Sequence, residues 1–408
     1  MALRLKSLRG GVTAPRGFLA GAASAGIKPG AERDDLALVV SERPAVSAGV
    51  FTTNQMKAAP VLWSSAIVRR GGPVRAVLLN SGNANACTGR RGEVAVERSA
   101  RAAARALALR SPSEVLVAST GVIGVPLPVG RLVEAMPRLA TRLGSGRDAA
   151  AAAARAIMTT DTRPKQRALE VRAGGRSFRV GGMAKGAGMI HPEMATMLCV
   201  VTTDAPLGRA QARRLLARAA ERSFNSITVD GDTSTNDCVL LMAGGAAGGR
   251  VAPGSRAERA VGEALDRVCL DLAETVAADA EGARKLIQVN VRGASSEGDA
   301  RRVARAIASS MLVKTAIHGG DPNWGRILAA AGRSGVRLDA SALALRIGGH
   351  LVARAGGPRP AGEGPAARHL RGRRIRIDLT IGRGRADARA LGCDLSADYV
   401  AINASYRS

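Results

Sequence analysis

The amino-acid sequence predicts an α/β protein, an α+β sandwich of layered sheets and helices. Short apolar runs bounded by glycine recur along the chain, and Ala-, Arg- and Leu-rich stretches of high helix propensity lie between them. Hydrophobic residues make up 46% of the 408 positions, enough for two or three layers and more than one domain. Aromatics are only 2%, so the core has to be built from Ala, Val, Leu and Ile.

Taken in order, Leu36-Ala37-Leu38-Val39-Val40 and Val74-Arg75-Ala76-Val77-Leu78-Leu79 read as strands, followed by a helix over about 92–109. Val115-Leu116-Val117-Ala118 reads as a strand and 145–158 as a helix. Strands are expected at 198–203, 238–243, 285–292 and 374–381, with helices at about 207–222, 255–268 and 299–309. The Gly- and Pro-rich stretch 355–365 is expected to be a flexible surface loop that carries no chemistry.

Composition narrows the function classes. The net charge of +27 invites a nucleic-acid role, yet only seven of the 60 basic residues are Lys, and Arg is spread through Ala- and Gly-rich sequence along the whole length. Few aromatics and no helix-turn-helix, zinc-finger or RNA-binding motif argue against a specific nucleic-acid partner; the charge implies non-specific adhesion instead. No run of about 18 uncharged apolar residues suggests a membrane span, and the N-terminus lacks a secretory pattern. Five widely spaced cysteines without a Cys-x-x-Cys pair fit reduced thiols, and no metal-ligand spacing occurs among the histidines. A cytoplasmic protein without metal or cofactor is the expectation.

The chemistry concentrates in Lys185-Gly186-Ala187-Gly188-Met189-Ile190-His191-Pro192-Glu193-Met194-Ala195-Thr196-Met197-Leu198. A Thr hydroxyl attacks a carbonyl at neutral pH only with a base beside it, and a free α-amine on the same residue is one solution. That amine titrates at about 7.7–8.0 in a peptide. Thr196 acquires one if its hydroxyl attacks the preceding carbonyl and the resulting ester hydrolyses, cutting the chain at Ala195-Thr196. Flexible glycines before the bond permit the strain this requires, and the apolar run after it reads as a buried strand that would hold the new terminus.

The wording of this segment closely resembles the cleavage and nucleophile motif of the ornithine acetyltransferase family, also called glutamate N-acetyltransferase, of arginine biosynthesis. Further segments resemble the family in family order: Gly11–Phe18, Gly49–Asn54, Asn80–Gly89, Ser119–Gly124, Asn225–Asp237, Asp279–Lys285, Gly320–Arg326 and Ile402–Ser408. The resemblance implies a self-processed enzyme of two chains, 1–195 and 196–408, that share a main layered α/β domain, with a smaller α/β subdomain over roughly 240–390. It implies Thr196 as nucleophile and the Thr120 hydroxyl with the Gly121 amide as oxyanion hole. Substrate contacts are implied at Thr159, Lys185, Thr196, Glu281, Asn403 and Ser408. Lys185 could then pair with a substrate α-carboxylate and Glu281 with a side-chain ammonium.

The implied reaction moves acetyl from N2-acetylornithine to glutamate through an acetyl-Thr196 ester. Some members also use acetyl-CoA as donor, and the sequence does not show which kind this is. The implied assembly is an α2β2 heterotetramer. A self-processing amidohydrolase or aminopeptidase of the related fold is the alternative. Glu193, Arg284 and the terminal Ser-Tyr-Arg-Ser depart from the expected family pattern; they bear on substrate tuning more than on reaction type.

Overall fold

The structure, a computed structural model, describes residues 4–28, 33–191 and 197–405. Among these residues one nine-stranded sheet runs in the order Leu5–Leu8, Lys165–Ala173, Arg176–Lys185, Leu198–Thr203, Cys238–Ala243, Leu36–Phe51, Val74–Asn83 and Val115–Val122, with Phe18–Ala23 paired to Leu36–Phe51 off that path. The 16-residue strand Leu36–Phe51 joins two halves. Its first part pairs with Val74–Asn83 and its last part with Cys238–Ala243. The register shifts between Val40 and Ala45, where Pro44 has no N–H to give to a ladder.

Side-chain alternation shows how the halves stack. Leu198, Val200, Leu240 and Met242 share one core with Ala37, Val39, Val77, Leu79, Leu116 and Ala118 from the other half, so the two halves face each other. The opposite faces are covered by helices. Cys199, Val201, Val239 and Leu241 pack with helices Arg209–Arg222 and Arg256–Ala278. Leu36, Leu38, Leu78, Val115 and Val117 pack with helices Gly89–Ala106 and Val129–Thr141. The result is the α/β layered sandwich expected from the sequence, with the layers in the order helix, sheet, sheet, helix.

A second, six-stranded sheet has the order Gly357–Pro358, His350–Arg354, Ala344–Ile347, Arg374–Thr380, Leu286–Ala294 and Ala386–Cys393. Helices Glu297–Ala308, Met311–Gly319, Trp324–Gly332 and Glu363–Leu370 bury their apolar faces against it. Leu286, Leu391 and Cys393 at its near end join the core of the large sheet.

Two expectations are corrected. The helix predicted over 255–268 runs on to Ala278, because Val261, Leu265, Val268, Leu272 and Val276 extend one buried stripe at spacings of three and four. Ser255 Oγ accepts from the Glu258 amide and caps its start. The stretch 355–365 is no flexible loop: Gly357–Pro358 adds to the small sheet, and Glu363 opens a helix whose Ala366 and Leu370 are buried. Gly362 sits so close to Leu351 that a Cβ there would lie 1.9 Å from its carbonyl oxygen.

Candidate active site

The site lies where the large sheet meets the loop that follows the helix Arg256–Ala278. The strand expected to end at Ala118 continues to Val122, so Thr120 and Gly121 lie within it rather than beyond its exit. They pair in parallel with Ser81 and Gly82. Gly121 has a φ of 131°, and a Cβ there would meet the Gly82 carbonyl carbon at 2.2 Å. Only glycine fits this close approach of two strands.

The antiparallel strand Arg176–Lys185 delivers Lys185 to the same place. Its Nζ donates to Thr120 Oγ1 at 3.1 Å, and both side chains are buried. Burial pushes the Lys185 ammonium below its ordinary pKa, while the negative charges of Asp161, Asp237 and Glu281 oppose that fall and Lys165 adds to it. From the far side, the turn after Ala278 brings Glu281, whose amide donates to Ala187 O at 2.9 Å. Gly188 packs on this carboxylate; a Cβ there would lie 2.4 Å from Glu281 Oε2.

The helix Ala397–Ser405 closes the mouth, with Asn403 Nδ2 donating to Glu281 Oε2 at 2.9 Å. Tyr399 of the same helix donates to Asp230 Oδ2 at 3.3 Å. Asp230 in turn accepts the amides of Met189 and Ile190.

Thr120, Gly121, Lys185, Gly188, Glu281 and Asn403 line one cleft. Of the residues expected from sequence, Thr120, Gly121, Thr159, Lys185, Glu281 and Asn403 all line it. Thr196, the Ala195-Thr196 bond and Ser408 lie outside the described residues.

Sequence reasoning missed Thr160, Ser234 and Asn236, which also line the cleft. Asn236 Nδ2 donates to Ala84 O at 2.6 Å and Ser119 O at 2.9 Å, stitching the loop after Ile227 to the strand that carries Thr120. The run Asn225–Asp237 signalled importance without saying which residue acts.

Asp237 was missed as well. It is fully buried, accepts the Met197 amide on Oδ1 at 2.9 Å, and leaves Oδ2 without a hydrogen-bond partner among the described residues. Burial pushes its carboxyl well above the ordinary carboxylate range, against the Met197 and Ser234 amides and the Lys185 charge.

Chemically, the cleft offers a hydroxyl donor, an ammonium and a carboxylate on a common volume. Lys185 has no acceptor to give, so Thr120 Oγ receives its hydrogen bond and the Thr120 hydroxyl proton stays available for a third group. Among the described residues no group of three or more His, Cys, Asp or Glu is placed to hold a metal ion. No helix among them is long and apolar enough to cross a membrane.

A model of the ArgJ family matches residues 19–408. The chain is 51% identical over 403 residues to the arginine biosynthesis bifunctional protein ArgJ of Symbiobacterium thermophilum, covering 98% of this chain and 99% of that one. It is 50% identical to the protein of the same name from Thermosynechococcus vestitus, again over 98% and 99% of the two chains. The crystal structure of the ArgJ protein from Bacillus halodurans aligns with 51% of this chain and 98% of that chain, at 41% identity and a TM-score of 0.49. With a family match over nearly all its length and half its residues identical to two such relatives, the chain belongs to the ArgJ family.

Proposed function

We propose that this protein is an ornithine acetyltransferase of arginine biosynthesis that carries the acetyl group on Thr196. The chain cuts itself at Ala195-Thr196, and the freed α-amine becomes the base for the Thr196 hydroxyl. The hydroxyl attacks the acetyl carbonyl of N2-acetylornithine while the amine takes its proton. The negative oxygen that forms is held by the Thr120 hydroxyl and the Gly121 amide, donors whose individual loss typically costs about 100- to 1000-fold in rate. Collapse breaks the C–N bond, the proton passes to the leaving nitrogen, and ornithine departs. The amine of glutamate then attacks the acetyl ester, giving N-acetylglutamate and restoring the Thr196 hydroxyl.

The observation that carries this reading is the single cleft in which Thr120, Lys185 and Glu281 face one another. An ammonium on one wall and a carboxylate on the other match an α-acylated diamino acid. Lys185 takes the α-carboxylate and Glu281 the side-chain ammonium of the ornithine unit, with Thr159, Asn403 and Ser408 completing the contacts. The reaction requires no cofactor; acetyl-CoA serves as a second donor in a bifunctional enzyme. The two chains assemble as an α2β2 heterotetramer in the cytoplasm.

The test is direct. A denaturing gel with N-terminal sequencing should give fragments 1–195 and 196–408, and Thr196→Ala should remain one uncut, inactive chain. A cut and active Thr196→Ala variant would refute the nucleophile. Release of free acetate at the same rate with and without glutamate would identify an amidohydrolase instead.

A further inference from the structure

Beneath the cleft, three of the segments that line it are tied together by a buried charge cluster. Lys165 Nζ donates to Asp161 Oδ1 at 2.5 Å and to Asp279 Oδ2 at 2.6 Å, and the Lys165 and Asp161 side chains are wholly inaccessible. Asp161 also accepts the Gly186 amide at 2.7 Å and the Thr159 amide at 3.1 Å. Asp279 accepts both the amide and the hydroxyl of Thr162. Asp161 therefore holds the amide of Thr159 and that of Gly186, the residue after Lys185, and Asp279 lies two residues before Glu281.

Burying an unmatched charge is costly. Asp279 is met by Lys165 and also by the half-exposed Arg163, whose Nε lies 3.9 Å from Asp279 Oδ1. Asp161 is met by Lys165 directly and, at longer range, by the charge of Lys185, which adjoins Gly186 in the chain. Lys185 Nζ is directed at Thr120. Among the charges that oppose its loss of a proton on burial, that of Asp161 is the largest.

We propose that Asp161 is a positioning residue for the acyl-transfer site, holding the Thr159, Gly186 and Lys165 groups in place and supplying the counter-charge with which Lys185 meets a substrate carboxylate. This rests on the acetyltransferase reading. The charged groups facing Lys185 are Asp161, Lys165, Asp237, Glu281 and Lys28. Asp161 favours its ammonium form and Lys165 disfavours it, so the two neighbours act in opposite directions.

That opposition provides the test. The pH dependence of kcat and KM for acetyl transfer from N2-acetylornithine to glutamate is measured for the wild type, Asp161→Asn and Lys165→Gln. In Asp161→Asn the alkaline rise of KM should move to lower pH, with kcat changed much less than KM. In Lys165→Gln it should move to higher pH. Structural damage alone would displace both variants the same way or lower kcat at every pH, and either result overturns the proposal, as do unmoved profiles. If Asp161→Asn does not fold, the Lys165→Gln profile decides by itself. An active wild type with unmoved variants defeats this inference alone, whereas a wild type without transfer defeats the acetyltransferase reading and this inference together.

Discussion

At the scale of single residues, the site is made by side chains whose neighbours in space are far away in sequence. Thr120 meets Lys185 across 65 positions, and Lys165 meets Asp279 across 114. Asp237 ties stability to pH. Its folded pKa is raised, so it favours the folded state most below the ordinary carboxylate pKa of about 3.9, and that contribution is lost as pH rises through the folded value. At neutral pH an ionised Asp237 would be a buried charge with one oxygen that has no hydrogen-bond partner among the described residues. Asp237→Asn keeps an acceptor for the Met197 amide and removes the titration. In a Thr196→Ala background, where self-cleavage plays no part, it should raise the urea midpoint at pH 8 and lose that advantage near pH 4. An advantage independent of pH would contradict this account.

At the scale of elements, the helix Arg256–Ala278 couples packing to chemistry. Its buried stripe presses on strands Lys165–Ala173 and Arg176–Lys185, and its C-terminal end delivers Asp279 and Glu281. Leu265 is 1% exposed at the middle of that stripe. Leu265→Ala should cost about 2–5 kcal/mol of stability, read from chemical denaturation, because the site cannot collapse fully around the lost methyl groups. A cost below about 1 kcal/mol would show that this helix is not packed as described. The strands at 198–203 and 238–243 were legible to the residue: Cys238–Ala243 is an uninterrupted apolar run, and Leu198–Val201 runs on into two β-branched threonines, with every position of both strands buried. The extension of the strand from Ala118 to Val122 was not legible. Thr120 and Gly121 look like a turn in sequence, and only the partner strand at Ser81 and Gly82 makes them extended.

At the scale of the whole molecule, the order of strands explains why a cut chain would remain one object. Leu198–Thr203 and Cys238–Ala243, which follow the predicted cut, lie between Arg176–Lys185 and Leu36–Phe51, which precede it. Separating fragments 1–195 and 196–408 would break two strand pairings, leaving four bare strand edges, and would open two of the cores of the large sheet. Both fragments should therefore co-elute from a native sizing column and part only in denaturant. Their separation in plain buffer would refute this interleaving.

The sequence by itself determined the layered α/β class, the main helices and strands, and, through motifs spread from Gly11 to Ser408, the family and the set of residues to watch. It could do so because apolar periodicity and local motif wording are properties of adjacent residues. Tertiary structure alone decided that Thr120, Gly121, Thr159, Lys185, Glu281 and Asn403 share one cleft, that 355–365 is ordered against the small sheet, and that Asp161, Lys165 and Asp279 form a buried cluster beneath the site. Burial and electrostatic pairing depend on distance in space, and in a chain whose sheet is threaded this discontinuously no local pattern of residues encodes that distance.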